Sequence, residues 1–105
     1  MDEKFEKFKL LLETTGFPVA YNHFPQEEPP AAPYICWLTS EASSLRADGI
    51  LYYSVADATV ELYTKIKDPN AEAKVESTLA PFAYAKTCDY LEDEHIYLTS
   101  YSLQL

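Results

Sequence analysis

The 105-residue chain has only two glycines and eight basic residues, and each shortage excludes a class of function. Glycine-rich loops that cradle phosphate groups need several glycines close together, so this sequence has no phosphate loop of that kind. The 17 acidic residues outnumber the basic ones and give a formal net charge of −9 at pH 7. Because binding to nucleic acid or to an anionic membrane requires a basic patch, the charge argues against both kinds of partner.

Long apolar runs and closely spaced cysteines are also missing. No apolar stretch approaches the roughly 20 residues that cross a bilayer, so we expect no membrane span. The N-terminus is charged from the start, and we therefore expect no signal peptide. Cys36 and Cys88 lie far apart, so we expect both to be free, buried thiols. These features predict a soluble, acidic, cytosolic protein.

Apolar and aromatic residues, by contrast, are abundant. Hydrophobic residues make up 48% of the chain, and nine of its aromatic residues are tyrosines. A chain of this length buries roughly two-thirds of its unfolded surface, which is enough for a core without disulfides or metal. We therefore expect residues 1–105 to form a single domain.

Two segments have the periodicity of amphipathic helices. The first covers about residues 2–14 and ends before Gly16, which suits the left-handed conformation that terminates helices. The second starts at Asp68 and Pro69, a capping residue followed by proline at the first helical position. Its apolar residues then repeat every four positions until Pro81, which ends the pattern.

Five segments rich in branched and aromatic residues are predicted to be strands. They cover about residues 19–24, 34–39, 50–66, 85–91 and 95–103. Residues 40–49 contain two adjacent serines and end in Asp48 and Gly49, which predicts an exposed loop with a turn. Within the long third strand the alternation changes near Ala56, where we expect a bulge or a break.

The resulting element order is αβββαββ. Since both helices are amphipathic, we expect them on one face of a mostly antiparallel sheet, which makes an α+β sandwich of two layers. Such a sheet leaves its other face to solvent or to a neighbouring molecule.

Three segments, together with the N-terminal helix, give the chain the pattern of a known family. They read PVAYNHFPQEEPPAAPYICWL, VELYTKIKDPNAEAKVESTL and YLTSYSLQL. In these segments the chain resembles the tail terminator, or tail completion, proteins of tailed phages and prophages of Gram-positive bacteria. These are head–tail joining proteins, and comparable small proteins of the same gene clusters act as head-closure or connector components. That second role stays open for this chain.

The resemblance implies a structural protein with no catalytic residue and no cofactor. Such a protein forms a ring, usually a hexamer, that caps the tail tube and presents a surface to the head connector. Its partners are then other copies of itself, the major tail tube protein and the head connector proteins. The implied location is the host cytoplasm during assembly and afterwards the virion tail.

Tyrosines and prolines supply the candidate interface residues. Tyrosine is enriched at protein interfaces, and the two long segments 25–33 and 40–49 are of the kind that often carries contacts. We expect an interface that includes Pro29, Pro30, Pro33, Arg46, Tyr52, Tyr53, Tyr63, Tyr97 and Tyr101. The alternative is that the tyrosines are ordinary sheet residues whose hydroxyls reach solvent.

Residues with catalytic or metal-binding chemistry are few and poorly spaced. His23, Cys36, Cys88 and His95 lack the short intervals of structural zinc motifs. A cysteine nucleophile would need an electropositive pocket, whereas the sequence around both cysteines is acidic. The acidic residues 92–94 lack the alternating carboxylates and the glycine of a calcium loop. We therefore expect neither an enzyme nor a metal site.

The charge of −9 motivates an alternative function from a different class, an acidic inhibitor that mimics DNA. Mimicry requires carboxylates in a row at a spacing like that of phosphates, and DNA carries one charge per about 1.7 Å of its axis. In this chain, lysines and apolar residues interrupt the acidic ones. The sequence therefore favours the structural role over the inhibitor.

Overall fold

The computed structural model describes residues 3–24, 30–47 and 50–105, with the backbone alone for residues 41–47 and 50–56. The elements are α1 (Glu3–Glu13), β1 (Val19–Tyr21), β2 (Tyr34–Ala47), β3 (Ile50–Thr64), α2 (Pro69–Thr78), β4 (Tyr84–Leu91) and β5 (Ile96–Gln104). The predicted order αβββαββ and the α+β class are confirmed. Neither helix in the described ranges is long and apolar enough to cross a membrane.

The five strands form one mixed sheet in the order β1-β2-β3-β5-β4. β1 runs parallel to β2, and the other three neighbouring pairs are antiparallel. The sheet is therefore mostly antiparallel, as predicted. Because β1 has only three residues, it covers only a short part of the edge of β2.

The core lies on one face of the sheet, which we call the core face. Strand pairing places Ile35 beside Leu62 and Trp37 beside Val60, and the next strand continues this row with Tyr101 beside Val60. The core cluster contains Phe8, Leu12, Ile35, Trp37, Ala58, Val60, Leu62, Ala71, Val75, Leu79, Tyr101 and Leu103. Both helices thus contribute buried residues to the same cluster as the core face, and the alternate residues of the strands lie on the opposite face.

The signals at the helix ends act as predicted. Gly16 adopts φ +85°, the left-handed conformation in which a side chain is unfavourable. The Asp68 carboxylate accepts a hydrogen bond of 3.0 Å from the backbone N–H of Ala71, and Pro69 begins α2. These local rules therefore fix where both helices stop or start.

The predicted loop over residues 40–49 is wrong for most of its length. Residues 40–47 belong to β2, which pairs with β3 as far as Ala47, and residues 48–49 lie outside the described residues. Serine favours turns only weakly, and pairing with a long neighbouring strand outweighs that preference. The expected irregularity near Ala56 is found in the partner strand, where the register shifts between Glu41, which pairs with Ala56, and Ser43.

Two strand ends also differ from the prediction. β1 stops at Tyr21, because the chain turns at Asn22, whose φ is +67°. The third strand was predicted to continue to Ile66, but β3 ends at Thr64 and Ile66 is 69% exposed. Alternation along a sequence does not show where a strand loses its partner, and β5 pairs with β3 only as far as Thr64.

One part of the sheet extends away from the rest, and we call it the β2–β3 ribbon. It consists of residues 41–47 and 50–56, which pair with each other, whereas β1 pairs with β2 at residues 35–37 and β5 with β3 at residues 57–64. Seven residues of strand span about 23 Å. The radius of gyration of 15.1 Å exceeds the roughly 13 Å of a compact chain of 100 residues, in agreement with this extension.

Candidate interaction surfaces

The β2–β3 ribbon is the first candidate surface. Within the described strands it has no third strand beside it, so each of its two outer edges presents backbone N–H and C=O groups without a ladder partner. Its second strand carries the apolar run Ile50, Leu51, Tyr52 and Tyr53. A two-stranded ribbon with this composition gains stability when another chain covers it.

Three of the predicted interface residues fall in this ribbon. Arg46 pairs with Leu51 and Tyr53 pairs with Leu45, and Tyr52 lies between these two positions. The side chains of these residues lie outside what the structure describes. The backbone therefore places the predicted residues in the β2–β3 ribbon, and their interface role stays a prediction.

The second candidate is a cleft on the opposite face of the sheet, which we call the aromatic cleft. Tyr34 and Tyr63 are paired across β2 and β3, and their rings stack with centroids 4.9 Å apart and an interplanar angle of 17°. Phe24 meets the Tyr34 ring edge-on at 5.5 Å. Glu94 and Lys65 also line the cleft, whose volume is about 680 Å³.

Carboxylates lie beside the phenol groups of the aromatic cleft. The Tyr63 hydroxyl donates a hydrogen bond of 3.2 Å to Glu61 Oε1. Burial and the nearby Glu61 raise the pKa of Tyr63, and burial, together with Cys36 and Glu94, raises the pKa of Tyr34. Both phenols are therefore neutral at physiological pH, and the carboxylates supply negative potential at the cleft.

The remaining predicted interface residues occupy several different environments. Pro30 is exposed and lines the aromatic cleft, Pro33 is partly buried just before β2, and Pro29 lies outside the described residues. The ring of Tyr97 is partly buried and contacts Tyr90 at 4.9 Å. The expectation does not hold for Tyr101, whose side chain is fully buried in the core and so is out of reach of a partner.

A group of charged side chains that the sequence analysis missed joins α2 to the outer strand β4. We call Lys67, Glu72, Glu76, Lys86 and Tyr101 the ion cluster. Lys86 Nζ donates hydrogen bonds of 2.8 Å to Glu72 and 2.7 Å to Glu76, and Lys67 Nζ lies 2.6 Å from Glu72. Tyr101 completes the cluster by donating a bond of 2.8 Å to Glu76. The spacing of the two glutamates, four residues apart on a helix, was the available signal.

These contacts determine the charges in the ion cluster. Burial opposes ionisation of Glu72, but hydrogen bonds from Lys67 and Lys86 outweigh it and leave the pKa of Glu72 below its usual value. The bond from Lys86 does most to lower the pKa of Glu76. Bonds to the two glutamates raise the pKa of Lys86, while burial and Glu76 raise that of Tyr101. The cluster thus holds ionised carboxylates around a cation and fixes β4 to α2.

The two cysteines are both free but differ in environment. Cys36 is buried as predicted, whereas Cys88 is exposed, which corrects the expectation of two buried thiols. Cys88 lies on the outer strand β4, where Lys67 Nζ and Thr99 Oγ1 donate weak hydrogen bonds to its sulfur at 3.7 and 3.6 Å. Strand pairing places Cys36 beside Glu61 on the opposite face and Cys88 beside Thr99 on the core face. The sheet therefore separates the two sulfurs.

Across residues 3–24, 30–47 and 50–105, no set of three or more histidine, cysteine, aspartate or glutamate side chains is placed to hold a metal ion. His23 lines the aromatic cleft, and His95 Nδ1 lies 3.4 Å from the Tyr90 hydroxyl. The acidic residues 92–94 are exposed at the turn between β4 and β5.

We expect the two thiols to react at very different rates. With a chromogenic disulfide reagent, one thiol per native chain should react rapidly, and both should react after unfolding, because only Cys88 reaches solvent and burial raises the pKa of Cys36. Cys88→Ser should remove the rapid phase, and Cys36→Ser should leave it intact. Two rapid thiols in the native protein would contradict the placement of Cys36.

The chain was also compared with known proteins. It matches no protein-family model, and no curated protein is significantly similar to it in sequence.

Proposed function

We propose that this protein is a non-catalytic structural component of a tailed phage, which forms a ring at the head-proximal end of the tail. The observation that carries the proposal is the β2–β3 ribbon, whose two strands extend beyond the strands that flank them. A protein that works alone gains nothing from exposing a long ribbon, because its free edges invite pairing with other chains.

The position of the ribbon favours one kind of assembly. The ribbon extends beyond the residues at which β1 and β5 pair with β2 and β3, so we expect a contact through it to join the ribbon of one copy to a different surface of the next copy. Contacts between unlike surfaces repeat around an axis and close into a ring when the rotation permits. Rings of this kind suit the end of a tubular tail, which is the location implied by the resemblance to tail terminator proteins.

The partners follow from the same reasoning. Within the ring each copy contacts two others, and the faces of the ring contact the major tail tube protein on one side and the head connector on the other. The ion cluster counts against the inhibitor that mimics DNA, because Glu72 and Glu76 are neutralised by Lys67 and Lys86 and do not join an acidic ridge.

Size measurement with and without tail tubes tests the proposal. Gel filtration with light scattering should show a closed multimer of the protein alone or, if the ring needs a template, binding to tubes of the major tail tube protein. Electron microscopy should then show a ring at one end of each tube. A protein that stays monomeric at all concentrations and never binds the tubes would rule out the proposal.

A further inference from the structure

We infer that the aromatic cleft is a docking site for an arginine side chain presented by a partner protein. The cleft combines flat aromatic faces with carboxylates, and these are the two groups that a guanidinium recognises. The inference does not depend on ring formation, since a protein partner of any kind can present such a side chain.

The geometry of the rings supports a planar guest. The rings of Tyr34 and Tyr63 form a nearly parallel stack, and the ring of Phe24 is almost perpendicular to that of Tyr34. The three rings therefore form a wall in which two ring planes are parallel and the third is perpendicular to them. A guanidinium can stack on an aromatic face and still use its N–H groups in its own plane. The volume of about 680 Å³ accommodates the side chain with its neighbouring residues.

The charges at the cleft favour a cation. Glu94 lines it, and Glu61 accepts the hydrogen bond from the Tyr63 hydroxyl, so two carboxylates lie at or next to the ring wall. Lys65 also lines the cleft and opposes a cationic guest, but the carboxylates outnumber it. His23 lines the cleft as well.

The net charge of the whole chain favours a basic partner at the aromatic cleft. At −9, the chain attracts a basic protein at long range. Complementary charge of this kind speeds encounter and selects among partners. Arginine is favoured over lysine, because its planar group matches both the ring faces and the carboxylates.

A peptide titration followed by NMR tests the inference. The ¹⁵N-labelled protein is titrated with a short glycine peptide that contains one arginine, and with the same peptide carrying citrulline, which has the same shape without the charge. We expect saturable shifts of the Tyr34, Tyr63 and Glu94 amides with the arginine peptide. The citrulline peptide should bind about fivefold more weakly or worse, since it loses the cation–π and carboxylate contacts.

Three variants sharpen the test. Glu94→Gln should weaken arginine binding about twofold to fivefold, whereas Asp93→Asn, in the same exposed turn, should leave it unchanged. Lys65→Met should strengthen binding about twofold, because it removes the opposing charge. A gain of affinity cannot result from a damaged fold, so this variant separates recognition from stability.

Five outcomes would overturn the inference. Equal binding of the citrulline peptide would show that the charge is not recognised. Shifts confined to another surface, or no saturable binding, would show that the cleft is not the site. Shifts of the same amides on raising the protein concentration without peptide would assign the cleft to a second copy. Unchanged affinity in both Glu94→Gln and Lys65→Met would show that the charges lining the cleft do not contribute to recognition of the peptide.

Discussion

Replacing Lys86 with methionine should destabilise the fold by about 2 kcal/mol at neutral pH. Lys86 lies between Glu72 and Glu76 and donates hydrogen bonds to both carboxylates. The Glu72 side chain is only 6% exposed, so the substitution leaves a buried carboxylate with Lys67 as its one remaining cation among the described contacts. Breaking a fully buried pair costs about 3–5 kcal/mol, and the cost is lower here because Lys86 is 37% exposed.

The cost of this substitution should shrink in acid. The ion cluster holds the pKa values of Glu72 and Glu76 below the ordinary 4.5, so their contribution to stability is complete above about pH 4.5. It is lost as the pH falls through the native values, because the folded protein must then take up protons that weaken the bonds to Lys86. Wild type and Lys86→Met should therefore converge in stability as the pH is lowered from 7 toward 3.

Denaturant unfolding at several pH values measures both effects. Lys7→Met is the matched control, because Lys7 pairs with Glu3 at 3.5 Å on the surface of α1, where both side chains are at least 75% exposed. That change should cost less than about 0.5 kcal/mol at any pH. Equal costs for the two substitutions, or a cost of Lys86→Met that grows in acid, would contradict the role assigned to the ion cluster.

The sequence was sufficient for those parts of the fold that depend on neighbouring residues. The burial of Phe8 and Leu12 on α1 and the capping of α2 by Asp68 could be predicted, because helix periodicity and capping involve residues within about one turn. The two faces of β3 were also predictable, since Ala58, Val60 and Leu62 alternate with polar or aromatic residues.

Features that depend on distant residues could not be predicted in the same way. The ribbon exists because β2 continues to pair with β3, and residues 40–47 have no alternation of their own that predicts a strand. Tyr101 was predicted to lie at an interface but is buried in the core. Alternation along β5 separates the two faces of the strand, but it does not show which face the helices cover. Tyr34 was missed because only the register of β2 and β3 brings it to Tyr63.

The aromatic cleft and the ion cluster show the same limitation at the level of side chains. Tyr63 was a candidate, but its partners Tyr34, Phe24 and Glu94 come from three other parts of the chain. Lys86 contacts two glutamates that precede it by ten and fourteen residues. The sequence does not show the geometry of the turn that lies between them and Lys86. Such sites become visible only when the strand order is known.

Removing the β2–β3 ribbon should abolish ring assembly and leave a folded monomer. Ser40 and Asp57 are directly paired, so the chain can be closed between them by Asn-Gly in place of residues 41–56. This dipeptide favours the two-residue turn that joins antiparallel strands. Ile35, Trp37, Ala58 and Val60, which belong to the core cluster, all remain in the shortened protein.

The stability of the shortened protein should stay within about 1 kcal/mol of the wild type, since a two-stranded ribbon without further strands beside it is only marginally stable on its own. Thermal unfolding measures this quantity, and light scattering with tail-tube binding measures assembly. As a control, Asn-Gly in place of Glu92 and Asp93 alters another exposed turn and should leave assembly unchanged. If the shortened protein still forms rings, another surface joins the subunits; if it fails to fold, the ribbon serves its own chain and not a neighbour.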